Sequence, residues 1–180
     1  MYETDNKKTM RQAGKTEINK AVQEAKEMII QGQVEQANTH VYRKMNETIQ
    51  GNVFKENSIE LLPAYFMLAE ANICMGGSRL KKAEEFLIAA YWNLLKFTSD
   101  ENDKGGSDSE YEDALVSDQE IKRYRANLQV NFGRLFLARQ GDNKKALKEL
   151  TEGIYLQSLL DQPESPYMCS SYYYLGNLYK

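Results

Sequence analysis

Residues 172–179 read YYYLGNLY, a short run in which aromatic and small residues stand at fixed intervals. Tyr172 lies four residues before Gly176, and Tyr179 lies three residues after it. Positions three and four apart share one face of an α-helix, so the two rings flank the glycine on that face. A glycine there lets another backbone approach closely. The run therefore predicts a helix that packs tightly against a second helix.

The same arrangement recurs upstream, where each small residue is followed by a second one twelve to fourteen residues later. These pairs are Ala25 with Ala37, Ala69 with Ala83, and Gly133 with Ala146. Aromatic residues flank two of them, since Tyr65 precedes Ala69 and Phe136 follows Gly133. Ala25 and Ala69 are 44 residues apart, and Gly133 and Gly176 are 43 residues apart. A fixed period of this size indicates repeated helical hairpins.

Strong helix formers dominate between the three prolines, all of which lie where helices would begin or end, so the sequence predicts an all-α fold. The predicted helices are Thr16–Gln31, Val34–Ile49, Glu60–Met75, Arg79–Thr98, Asp118–Gln140, Asn143–Leu160 and Ser165–Lys180. Glycine stands at each short break within a pair, at Gly32, Gly76-Gly77 and Gly141, where a left-handed residue can end a helix. Such short connections predict antiparallel hairpins.

Small residues and aromatics placed in this way on paired helices are typical of tetratricopeptide repeats. The sequence thus predicts a tetratricopeptide-type helical-hairpin solenoid with lengthened repeats, because the period exceeds the usual ~34 residues. Residues 1–15 are expected to form a polar N-terminal segment. Repeats 1 and 2 would occupy 16–98, repeat 3 would occupy 118–162, and 163–180 would supply the first helix of repeat 4.

Residues 99–117 read SDENDKGGSDSEYEDALVS and separate the second repeat from the third. Their composition buries little apolar surface, which predicts an acidic, flexible insert. Two functional roles remain open for it. One is an electrostatic contact with a basic partner, and the other is phosphorylation at Ser107, Ser109 or Tyr111.

Composition and charge exclude several classes of protein. The net charge of −3 and the pI near 5.4 argue against nucleic-acid binding, whose domains have a pI above about 9. The apolar runs are shorter than the roughly 18 residues that span a bilayer, so no membrane role is expected. The N-terminus lacks the pattern of a signal peptide. We expect a soluble chain located in the cytoplasm.

The residues that catalysis or metal binding would need are sparse. His40 is the only histidine, and Cys74 and Cys169 lie far from it and from each other in sequence, so no metal site is predicted. Cys74 lies between Ile73 and Met75, which favours a buried small side chain over a nucleophile. No phosphate-binding or dinucleotide-binding glycine loop is present. The sequence predicts no cofactor and no enzymatic activity.

The inner face of a helical-hairpin solenoid is lined by its first helices, and it commonly binds partner segments. Its candidate residues stand three before and one after each small residue of a first helix. They are Val22, Lys26, Phe66, Glu70, Val130, Arg134, Tyr173 and Asn177. Apolar anchors mixed with both signs of charge suit a peptide or a partner helix.

The stretch SIELLPAYFMLAEAN at residues 58–72, followed by AEEFL at 83–87 and WNLLK at 92–96, resembles one known family. It is similar to the tetratricopeptide region of the MYND-zinc-finger repeat proteins of motile cilia. The segments GRLF at 133–136, GIY at 153–155 and YYLGNLY at 173–179 look like its next repeats. The cysteine-rich MYND finger has no counterpart in this sequence, and the acidic insert is longer than the family pattern leads us to expect.

The resemblance implies a place and partners that composition and spacing do not supply. It implies a subunit of the ciliary axoneme that docks or stabilises a single-headed inner-arm dynein. Its partners would be the dynein heavy chain and a second ciliary tetratricopeptide protein. The alternative is a cytosolic adaptor or assembly cofactor that uses the same surface transiently.

Overall fold

A computed structural model describes residues 2–102, 115–140, 142–162 and 165–179, and all regular secondary structure in these ranges is helical. The α-helices are α1 (Tyr2–Ile30), α2 (Val34–Gln50), α3 (Leu62–Met75), α4 (Arg79–Asn102), α5 (Asp118–Ala138), α6 (Asn143–Ser158) and α7 (Pro166–Asn177). A 3₁₀ turn, Ile59–Leu61, leads into α3. The all-α prediction is confirmed. Predictions that involve residues 103–114 (Ser107, Ser109 and Tyr111 among them), Gly141, Pro163 and Lys180 lie outside the described residues.

Local sequence explains three of the helix boundaries. Gly32 and Gly76 have φ angles of +78° and +67°, so each adopts the left-handed conformation that glycine accommodates without strain. The start of α5 is fixed by a capping box. The Ser117 hydroxyl accepts a hydrogen bond from the backbone N–H of Glu120, whose carboxylate accepts one from the backbone N–H of Ser117.

Two helices are longer than predicted by four residues or more. Helix α1 begins at Tyr2 rather than Thr16, and α4 continues to Asn102 rather than ending at Thr98. The buried face of α1 extends upstream from Ile18 through Gly14. Glycine and charged side chains make the contacts of that upstream part, so no apolar periodicity revealed it.

Consecutive helices form hairpins, with α1 against α2, α3 against α4 and α5 against α6, while α7 packs on α6. The first helices of successive hairpins also touch, since α3 contacts both α1 and α5. They form an inner layer with α3 at its centre. The sequence of α3 is apolar on all sides because α3 packs against α1, α2, α4 and α5.

Small residues lie where the helices of a hairpin pack most closely. Ala25, Ala37, Ala69 and Ala83 are completely buried. A methyl group added at Gly133 would lie 2.5 Å from Cγ of Leu150, so this glycine lets α5 approach α6. Gly176 differs, because apart from its two chain neighbours and the nearby backbone of its own helix no described atom lies within 4 Å of a methyl group placed there.

Candidate functional site

The inner layer encloses a cleft of about 340 Å³ between α1, α3 and α5, closed on one side by the end of α6 and by α7. We call it the inner cleft. The residues that define its chemistry are Val22, Lys26, Phe66, Glu70, Arg123, Val130, Arg134, Asp161 and Tyr174. Val22, Phe66 and Val130 supply apolar surface and are nearly buried. Lys26 is exposed.

Arg134 is the central charged residue of the inner cleft, although only 8% of its side chain is exposed. Its Nη2 donates a hydrogen bond to Oε1 of Glu70 at 2.9 Å, and its Nη1 donates one to Oδ1 of Asn131 at 3.3 Å. The guanidinium carbon lies 4.6 Å from the centroid of the Tyr174 ring, within reach of a cation–π contact. Arg134 therefore joins α5 to both α3 and α7.

These surroundings shift the acidity of the groups around Arg134. Burial lowers the pKa of the guanidinium, but the Glu70 carboxylate outweighs it, so the pKa of Arg134 is raised. The pKa of Tyr174 is also raised, mainly by burial and against the opposing charge of Arg134. The guanidinium and the phenol both keep their protons at neutral pH. The cleft thus presents a fixed cation beside a neutral aromatic ring.

A second ion pair lies in the same cleft. Arg123 of α5 holds Asp161, just after α6, through two hydrogen bonds of 2.9 and 3.2 Å. This fork-on-fork geometry is the stronger form of an arginine–carboxylate contact. Nearby, the hydroxyl of Ser171 donates to Oε1 of Gln157 at 2.7 Å, and both side chains are buried. These contacts hold α7 and the end of α6 against the inner layer.

Six of the eight residues that the sequence placed on the inner face line this cleft together: Val22, Lys26, Phe66, Glu70, Val130 and Arg134. Tyr173 and Asn177 do not line it. Tyr173 is 63% exposed, and Tyr174 occupies the cleft in its place. One residue corresponds to a rotation of about 100° around a helix. Counting three residues before and one after Gly176 therefore predicted the wrong face of α7.

Among the residues that define the chemistry of the cleft, sequence reasoning missed Arg123, Asp161 and Tyr174. The run of three tyrosines at 172–174 did show that all of them could not point to one side, but not which of them pointed inward. Nothing in the sequence linked Arg123 to Asp161, because their contact joins two helices. The sequence also assigned Glu70 and Arg134 to partner contacts, whereas the structure pairs them with each other.

His40, Cys74 and Cys169 are placed apart in the fold. The Nε2 atom of His40 lies 2.8 Å from Oε2 of Glu24, which links α2 to α1. Both cysteines are exposed and form no disulfide. The prediction that Cys74 is buried is wrong, because Cys74 lies in the last turn of α3, where its side chain stays exposed. In the described ranges, no three metal-binding side chains cluster.

None of the helices, as far as the chain is described, combines the length and the apolar character that crossing a membrane requires. Comparison with models of known protein families gives no match, and no solved structure matches the chain significantly.

Proposed function

We propose that this chain is a non-catalytic protein-binding scaffold, built as a tetratricopeptide-type helical-hairpin solenoid, whose inner cleft holds a segment of another protein. One observation carries the proposal. In three successive first helices, the residues three before and one after the small residue line the same cleft. Equivalent positions that converge in this way are what a repeat array uses to bind a partner.

The chemistry of the cleft suits a short peptide segment. Val22, Phe66 and Val130 offer apolar contact to one anchoring side chain, and the volume of the cleft limits how much it can hold. Glu70 and Arg134 satisfy each other, so they orient a ligand without requiring a charge from it. Lys26 is exposed on the same face and would favour an acidic residue next to the anchor.

Site-specific cross-linking tests this role. A photoreactive amino acid placed at Lys26 in the full chain should label one discrete partner in the cell of origin. The same group at Lys82, an exposed position on α4 outside the cleft, is the matched control. Labelling of the same proteins from both positions, or of none from Lys26, would contradict binding in the inner cleft.

The resemblance to the MYND-zinc-finger repeat proteins supports a more specific role within this class. We place the chain in the axoneme of motile cilia, where it docks or stabilises a single-headed inner-arm dynein together with a second tetratricopeptide protein. Axonemes isolated from cells that lack the chain should then lose that dynein. A full complement of inner-arm dyneins would contradict this role, and recovery of the chain in the detergent-soluble fraction would favour a cytosolic adaptor.

A further inference from the structure

A second concave surface lies on the opposite side of α5, between α4 and α6. We call it the outer groove, and its volume is about 790 Å³. Its floor is formed by Leu128, Phe132 and Phe136 of α5, and its walls include Tyr91 of α4 and Leu156 of α6. The Phe132 and Phe136 rings stack with centroids 6.2 Å apart. The floor is therefore a continuous apolar strip.

The floor of the outer groove has the residue spacing by which two helices pack. Leu128, Phe132 and Phe136 are four residues apart and form a straight ridge about 12 Å long, given a rise of 1.5 Å per residue. Ridges of this kind fit into the grooves of a neighbouring helix. The shape of the outer groove thus matches a helix rather than an extended segment.

Helix α4 also exposes large apolar side chains along the edge of the outer groove. Ile88, Tyr91, Trp92 and Leu95 are spaced as i, i+3, i+4 and i+7 and are 43%, 45%, 60% and 39% exposed. Four such side chains in one stripe form a contiguous patch, which is typical of an interaction site. Tyr91 lies in the groove, and its ring packs edge-on against Trp92 with centroids 5.6 Å apart.

The charges on the rim indicate which kind of helix would fit. Glu149 and Glu152 lie on the α6 wall, and neither forms an ion pair within the described part of the chain. Burial raises the pKa of Glu149, and Lys148 only partly offsets this while Glu152 adds to it. The rim residues Arg125, Lys148 and Glu152 are exposed. Lys145, whose amine lies 5.6 Å from the centroid of the Phe136 ring, already pairs with Asp142. Glu149 is the partly buried charge of this rim, and a partly desolvated carboxylate gains more from a new cation than an exposed group gains from a new partner.

We propose that the outer groove binds one amphipathic helix of another protein, with its apolar stripe on Phe132, Phe136 and Tyr91 and a lysine or arginine facing Glu149 and Glu152. This surface is independent of the inner cleft. The chain would then hold two partners on opposite sides of α5.

Trp92, the only tryptophan in the sequence, provides a local reporter for the test. The probes are two synthetic amphipathic peptides longer than the ~15 residues that an isolated helix needs to form. Both carry leucines at i, i+3, i+4 and i+7. One has lysines beside the stripe, and the other has glutamates at the same positions. The lysine peptide should shift the Trp92 emission of the full chain to shorter wavelength in a saturable way, with a Kd at least ~10-fold tighter than that of the glutamate peptide.

Two double variants assign this binding to the groove. E149Q/E152Q should weaken the lysine peptide about 10-fold or more, since it removes both rim carboxylates. E27Q/E35Q removes the same charge from exposed positions on α1 and α2 and should leave the Kd unchanged. All four glutamates lie at the surface or on a rim, so the far-UV circular dichroism of both variants should match that of the parent.

Three results would overturn the proposal. The first is equal binding of the two peptides, and the second is an equal loss of affinity in the two double variants. The third is a Trp92 shift that appears on raising the concentration of the chain alone and is accompanied by a doubled mass in light scattering. That result would assign the groove to a second copy of this chain.

Discussion

At the scale of single residues, the sequence predicted the helix face on which a residue lies more reliably than the residues that it contacts. Gly133 and Gly176 occupy the same place in the repeat pattern, and the run around Gly176 matches that pattern most fully. The structure gives them different surroundings, because Leu150 lies against Gly133 whereas the described residues leave the Gly176 face open. A pattern shows which face of a helix is suited to close contact. Whether a second helix lies there depends on the tertiary structure.

The two glycines therefore respond differently to the same substitution. Gly133→Ala should lower the free energy of unfolding by about 1–3 kcal/mol, since its methyl group would overlap Leu150 and push α6 from α5. Urea unfolding followed by circular dichroism measures this change. Gly176→Ala is the matched control and should be neutral or stabilising by up to ~1 kcal/mol, because alanine favours a helix. Equal destabilisation by both changes would contradict this account of Gly133.

Arg134 shows the same limit on what residue patterns reveal. Its place on the inner face follows from its spacing to Gly133, and the structure brings it to the inner cleft as the spacing predicts. Its contacts with Glu70 and Tyr174 do not follow from spacing, because they join helices that are distant in sequence. Position on a helix is a local property, whereas pairing depends on how three helices meet.

At the scale of helices, the sequence predicted a boundary well where a residue with a specific capping role ends or starts the helix. Glycines with positive φ end α1 and α3, and Ser117 with Glu120 starts α5 close to where the sequence placed these ends. The start of α1 and the end of α4 carry no such signal. Polar helix formers run through both places, so nothing in their composition distinguishes a helix from a solvated segment.

A contact between two hairpins should give stability that depends on pH. Arg139, at the end of α5, donates hydrogen bonds of 3.0 and 2.6 Å to the Glu84 carboxylate of α4. Those hydrogen bonds lower the pKa of Glu84 below its ordinary value of 4.5. A carboxylate with a lowered pKa stabilises the fold above its unfolded pKa, and that contribution disappears as the pH falls through the folded value.

Glu84→Gln should accordingly reduce the free energy of unfolding near pH 7 by no more than about 1 kcal/mol, because the pair is partly exposed. The difference from the parent should shrink as the pH falls below the ordinary carboxyl value of 4.5, and it should vanish once the pH is below the lowered pKa of Glu84. Thermal unfolding at a series of pH values measures it. Glu85→Gln changes the neighbouring exposed residue and should have no effect at any of these pH values. A difference that persists at low pH would mean that Glu84 acts through packing rather than charge.

At the scale of the whole molecule, the first half of α1 connects parts of the fold that are distant in sequence. A methyl group at Gly14 would lie 2.6 Å from Cγ1 of Val53, so α1 packs directly on the segment between α2 and α3. The amine of Lys15 donates to the backbone carbonyl of Leu115 and to Oε1 of Glu120. The residues predicted as a polar N-terminal segment thus hold the start of α5. Charged side chains make these contacts, which hydrophobic patterning does not detect.

Among the contacts of the first half of α1, the ion pair between Arg11 and Glu60 should cost the most stability when one partner is removed. Nη2 of Arg11 donates to Oε1 of Glu60 at 2.6 Å, and the Glu60 side chain is completely buried. Arg11→Ala would leave that carboxylate buried without its cation, and we expect a loss of roughly 3–5 kcal/mol in the free energy of unfolding. Urea unfolding followed by circular dichroism measures the loss.

The double variant R11M/E60L tests whether these two positions need an ion pair or only well-packed side chains. The native pair leaves Nε of Arg11 and Oε2 of Glu60 buried without hydrogen bonds, so two well-packed apolar side chains should serve at least as well. The double variant should therefore recover most of the stability that Arg11→Ala loses. If the double variant stays as unstable as Arg11→Ala, the specific shape of the Arg11 and Glu60 side chains determines the stability rather than the burial of an unpaired charge. If Arg11→Ala itself has no effect, the Arg11–Glu60 ion pair does not hold the first half of α1 in place.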